Sequence, residues 1–144
     1  MILELVATLC AGLFAGAALY INIAEHPARL EVGPSVALRE FGPSYRRAAV
    51  MQASLALVGL VAAVAAWWTE GHGMMLVGGL LLGAVVPFTL LAIKGTNKRL
   101  MAPDLDPDSA DARALLVRWG RLHAVRTVLS VLGFATLAAC VVMT

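Results

Sequence analysis

Apolar and polar positions are sharply segregated along this chain. Leu5 to Ala24 carries no charged side chain, and Asn22, Glu25 and His26 then fall within about one helical turn, ahead of Pro27. Three further apolar runs follow, Ala48 to Thr69, Met74 to Ile93 and Thr127 to Thr144, the last with a more polar lead-in from Trp119. About 20 apolar residues suffice to cross a bilayer as a helix. None of the runs alternates with the period of two that a barrel strand requires. The pattern predicts an all-α, integral membrane four-helix bundle. A single domain is expected over residues 1–144, with helices at about 2–25, 44–68, 73–95 and 110–143. The first run is expected to stay as a permanent helix rather than act as a cleaved signal, since it is long and only Glu4 is charged ahead of it.

The connections carry their own signals. "GPS" occurs at Gly33–Ser35 and again at Gly42–Ser44. Proline is tolerated in the first turn of a helix, where its missing N–H would have no partner anyway. The first copy is therefore expected to start a short interfacial helix near Ser35 to Phe41, and the second to start the second membrane helix. Pro27 is expected to end the first. In the third connection, Asp108, Ser109 and Asp111 suit a helix start. The acidic cluster of Asp104, Asp106, Asp108 and Asp111 reads as a solvated loop, because it lacks the glycine hinge and distal glutamate of a calcium loop.

Composition agrees with the pattern. Hydrophobic residues make up 60% of the chain and charged residues 14%, and the mean hydropathy is +0.85. A water-soluble domain needs more polar surface than this. The net charge of +2 and the lack of interleaved stacking aromatics leave no nucleic-acid groove. Arg29, Arg39, Arg46 and Arg47 lie in the first connection, and Lys94, Lys98, Arg99, Arg113, Arg118 and Arg121 in the third, while "TEGHG" holds neither Lys nor Arg. The positive-inside rule places loops 26–45 and 95–118 in the cytoplasm and both termini outside. The expected location is a bacterial inner membrane, with the lipid bilayer as the constant partner. Cys10 and Cys140 read as small apolar residues, His72 as an exposed turn residue, and Trp67 and Trp68 as an interfacial belt. Gly12-x-x-x-Gly16 and Gly79-x-x-x-Gly83 allow close helix approach and admit a homodimer.

The polar residues inside the runs converge at one membrane level. Asn22 and His26 are four apart and share a helix face, as do Trp119, His123 and Arg126. Gln52 lies about two turns into the second helix, and Pro87, Thr89 and Asn97 approach the same level on the third. Arg126 is the most deeply placed charge. An ionisable group there must face the bundle and find a partner, and Glu25 is the nearest acid in the pattern. Pro87 removes the bond to the Gly83 carbonyl and should kink the third helix. Such a kink either opens room beside Thr89 for a ligand or is simply tolerated. The convergent group reads either as a site or as a structural network.

The segments "AGLFAGAALYINIAEHPARL", "VVPFTLLAIKGTNKRL" and "WGRLHAVRTVL" resemble the anthrone oxygenase-like family of small four-helix membrane proteins, much of it described only as a domain of unknown function. The matching polar positions are Asn22, Glu25, His26, Pro27, Pro87, Thr89, Asn97, Trp119, His123 and Arg126. The resemblance implies an oxidoreductase that oxidises an activated methylene of a flat hydrophobic aromatic substrate with O2, in a pocket at the cytoplasmic end of the bundle. That chemistry needs a base, an oxyanion donor and a dry apolar pocket. His123 is the expected base, assisted or replaced by His26. Arg126 and Asn97 are suited as donors, and Glu25 is expected to orient a histidine or balance Arg126. Asn22, Gln52, Thr89, Asn97 and Trp119 would line the substrate. No cofactor is required on this reading. The alternatives are a haem or metal ion held by His26 and His123 with Glu25, or a non-catalytic binding or accessory protein with a structural polar network. Transport ranks below these, because the outer half offers no polar path.

Overall fold

The computed structural model describes residues 1–143. Thr144, the last residue of the fourth apolar run, lies outside the described residues. Four helices are long and apolar enough to cross a membrane: α1 (Ile2–Glu31), α2 (Pro34–Glu70), α3 (Gly73–Leu100) and α4 (Ala110–Met143). They form an antiparallel ring in which α1 and α3 each pack against both α2 and α4. Among the described residues there is no strand.

Small side chains set the spacing of the ring. Ala7, Ala11, Ala15 and Ala18 of α1 and Ala56, Ala62, Ala63 and Ala66 of α2 are buried at helical spacing. Without a hydrophobic driving force between helices in lipid, such residues let backbones approach and gain packing. A Cβ on Gly79 would meet Ala63 at 2.5 Å, and one on Gly83 would meet Leu60 at 2.9 Å. This motif therefore serves α2–α3 packing inside the bundle. Large apolar side chains such as Leu9, Leu13, Leu57, Val61 and Leu91 face outward. Trp68 is exposed at the end of α2, with Trp67 half-buried beside it.

The first connection is much shorter than expected. Pro27 does not end α1, because a π-turn at Ile21–Glu25 loosens the ladder just ahead of it and the helix runs on to Glu31. A widened turn relieves the clash between a proline ring and the carbonyl four residues back. Pro43 likewise lies inside one continuous helix, so the separate interfacial helix does not form and α2 begins at Pro34. The reversal between α1 and α2 occurs at Gly33, whose φ of +87° is open to glycine and strained for other residues. Gly71, at φ +78°, closes α2 in the same way.

The third helix is interrupted ahead of Pro87. Regular helix stops at Gly83, turns at Ala84, resumes over Val85–Phe88 and widens into a second π-turn at Thr89–Ile93. Ser109 starts α4, its hydroxyl accepting the Ala112 N–H at 3.1 Å. Asp104 and Asp111 of the acidic loop pair with Arg99 at 3.1 and 3.6 Å.

Candidate functional site

Both π-turns lie at the level where polar residues were expected to converge. Asn22, within the first, ties α1 to α4. Its Nδ2 donates to the Gly120 carbonyl at 3.3 Å. A carbonyl only accepts, so the nitrogen end of this amide is fixed. Oδ1 then faces His123 Nδ1 at 2.8 Å and also meets the Thr127 hydroxyl. An oxygen acceptor at Nδ1 requires a proton there, which leaves the lone pair of His123 on Nε2.

Trp119 is the hub of the aromatic packing. Its ring lies 4.8 Å from His123, nearly parallel at 27°, and 5.0 Å from His26. Phe41 meets it edge-on at 5.3 Å. The indole Nε1 donates to Asn97 Oδ1 at 2.8 Å, leaving the buried Nδ2 of Asn97 without a partner among the described residues. His26 rests on Gly120, where a Cβ would come within 2.5 Å of its Nε2. The Leu116 carbonyl lies near the His26 ring, yet neither ring nitrogen reaches hydrogen-bond geometry with a protein group.

Arg126 departs from expectation. Its Nη2 donates to Gln52 Oε1 at 2.7 Å, and its guanidinium lies 5.6 Å from the Phe14 ring centre. No acid pairs with it among the described residues. Arg126 Nε and Gln52 Nε2 are both buried donors without acceptors. Two cavities meet here. One, of about 30 Å³, is lined by His123, Arg126, Gln52, Tyr45, Arg29 and Trp119 among others. The other, of about 180 Å³, shares Tyr45, Gln52 and Arg126 with it and adds Phe14, Val85 and Thr89. Thr89 donates its own hydroxyl to the Val85 carbonyl at 2.6 Å. Val86 and Leu90, which also line the larger cavity, are exposed large hydrophobics, so its mouth lies on the apolar flank between α2 and α3.

Glu25 neither balances Arg126 nor orients a histidine. Its carboxylate pairs with Arg29, one turn along α1, and accepts the Ser44 hydroxyl at 2.9 Å. Arg29 also pairs with Glu40 and donates to Ser44 at 3.1 Å. Glu40 and Ser44 flank Pro43, so this buried arginine clamps α2 on both sides of its proline. Of the ligand set considered for a metal, Glu25 is committed to Arg29 and His123 Nδ1 to Asn22, and Trp119 packs against both imidazoles.

Sequence reasoning missed Arg29, Ser44, Tyr45, Thr127 and Gly120. The first had a signal, lying four residues after Glu25, the spacing of a helical ion pair. Thr127 lies four after His123. Nothing local marked Gly120, whose role is to leave room for a ring from another helix.

A small membrane-spanning bundle is thus built around a cation without an acid and a histidine held in one tautomer. Residues 41–136, more than half the chain, match the family model described as anthrone oxygenase. The chain belongs to the anthrone oxygenase family. Gln52, Thr89, Asn97, Trp119, His123 and Arg126 lie within that match, while Asn22, Glu25 and His26 precede it. Anthrone oxygenase tpcL of Aspergillus fumigatus is 42% identical over 53 residues, which is 35% of this chain and 33% of that protein. The alignment thus spans about a third of that relative's length. No solved structure matches the chain.

Proposed function

We propose that this protein is a membrane oxygenase that converts an activated methylene of a flat aromatic substrate to a ketone with O2. The observation that carries the reading is Arg126, a cation set among apolar helices that faces Gln52 instead of an acid. A charge at this depth in an apolar span is costly unless something offsets it. An oxyanion that forms during reaction would do so, and it would find Arg126 Nε and Gln52 Nε2 already buried and unpartnered.

His123 Nε2 removes a proton from the methylene next to the aromatic ketone. The resulting enolate oxygen binds Arg126 and Gln52. The electron-rich carbon reduces O2 and forms a C–O bond. Loss of the second C–H proton breaks the O–O bond, so one oxygen remains as the new ketone and the other leaves as water. Four electrons leave the carbon and four reduce O2, and CH2 plus O2 balances C=O plus H2O. The substrate itself supplies every electron. The larger cavity suits the rings, since an apolar cavity of about 150 Å³ already admits benzene, and its flank opening extends the space further.

The test is oxygen uptake by the purified protein in lipid nanodiscs with anthrone, corrected for autoxidation. One O2 consumed per quinone formed, abolished in His123→Ala, is expected. Uptake equal to the protein-free background would overturn the proposal.

A further inference from the structure

The end of the bundle opposite Arg126 holds a second group of chemistry-bearing side chains. Glu4 comes from the first turn of α1, His72 from the turn between α2 and α3, and Cys140 from the last turns of α4. One oxygen, one nitrogen and the sulfur of these residues all lie within 4.8 Å of one another. His72 is not the free turn residue its position suggests, since its Nδ1 is 3.0 Å from Glu4 Oε1. Glu4 is only 6% exposed, and Cys140 is buried. Glu70 lies 3.9 Å from the same imidazole nitrogen. The other Glu4 oxygen is 3.3 Å from the chain's amino group.

We propose that Glu4, His72 and Cys140 form a three-ligand site for a divalent transition-metal ion of borderline softness, with zinc as the type. The donor set is mixed: a thiolate, an imidazole and a carboxylate are the ligands that zinc, cobalt and nickel accept together. Ligand atoms around a tetrahedral zinc stand roughly 3.3–3.7 Å apart, as its bond lengths require. The existing spacing therefore needs only small side-chain adjustments. Glu4 is the one charged side chain in the first 24 residues, and it meets a nitrogen and a sulfur from two other elements. Glu70 adds negative charge beside the site. His72 is 37% exposed at the side chain, which gives an entry path and leaves a fourth position to water or a small ligand. Binding requires the Cys140 thiol to give up its proton. The ion then pins three elements together at this end.

Cobalt(II) is the probe. Chelator-treated protein in detergent is titrated with Co2+ while the thiolate-to-cobalt charge-transfer absorption is recorded. A band that saturates at one ion per chain is expected in the wild type and in Cys10→Ser, lost in Cys140→Ser and in His72→Gln. Zinc should displace the cobalt and raise the melting temperature of the wild type. No charge-transfer band in the wild type, or a band that persists in Cys140→Ser, would overturn the proposal. Cys140→Ser removes one atom's chemistry with little change in volume, and the wild-type titration decides the matter even where a variant folds poorly.

Discussion

Arg126 of α4 donates to Gln52 of α2 at 2.7 Å, while Glu25 is held by Arg29. The membrane-level cation therefore has a neutral partner that orients it without cancelling its charge.

This sets stability against activity. An arginine that closes an ion pair destabilises the fold when removed, because a buried acid is left alone. Arg126 leaves none behind. Arg126→Gln is expected to melt at or above the wild-type temperature while losing about 10²-fold to 10³-fold in turnover, the range for one oxyanion donor. Differential scanning in detergent and oxygen uptake on the same preparation check both. A large drop in melting temperature would make Arg126 structural.

On the proposed mechanism, Asn22 acts on the reaction through its contact with His123. Asn22→Leu removes the acceptor that holds the proton on Nδ1, so a share of the molecules carries it on Nε2 instead. Turnover should fall by up to about 10²-fold, the lower range for general-base catalysis, with KM nearly unchanged. Asn22→Asp keeps an acceptor at that position and should recover part of the loss. Equal effects on KM and turnover would contradict this role.

Gly120 supplies the seat for His26. In Gly120→Ala the new methyl would lie 2.5 Å from Nε2 and 2.6 Å from Cδ2 of the ring. The imidazole must move, and Trp119 with it. A loss of about 1–3 kcal/mol is expected, as for other overpacked sites, together with a shift in the Trp119 emission measured in a Trp67→Phe, Trp68→Phe background. An unshifted spectrum and unchanged melting would show that the ring relocates freely.

Arg29 should behave in the opposite way to Arg126. Arg29→Met leaves Glu25 and Glu40 facing each other beside Pro43. Complete burial of a broken pair costs about 3–5 kcal/mol. Glu40 is 44% exposed at the side chain, so a smaller loss, on the order of 2 kcal/mol, is expected in chemical unfolding. Adding Glu40→Gln to Arg29→Met should restore a measurable part of it.

The four spans were legible because length and apolarity alone decide whether a helix can cross a bilayer. Asn22, His123, Gln52 and Arg126 were legible as neighbours because helical spacing and a shared depth bring them together. The pairing of Glu25 was not. It depends on α1 continuing past Pro27, and the π-turn that permits this leaves no mark in a hydropathy pattern. The same continuation turns Arg29 from an expected loop cation into a buried clamp. The junction at Pro43 was misread for a related reason: a proline signals a helix start when read alone, but here Arg29 bridges the residues on either side of it. The contact of His72 with Glu4 was not legible either, because the two lie 68 residues apart.

On the proposed reaction, the flank opening of the larger cavity, beside Val86 and Leu90 and facing α2, changes what concentration means for this protein. A flat aromatic compound partitions into the bilayer, which then serves as the reservoir from which the cavity fills. Half-saturation should track the mole fraction of substrate in lipid, and it should rise in proportion to added phospholipid at constant total substrate. Molecular oxygen is likewise more soluble in hydrocarbon than in water, so both reactants would reach the site already concentrated by the membrane that surrounds it.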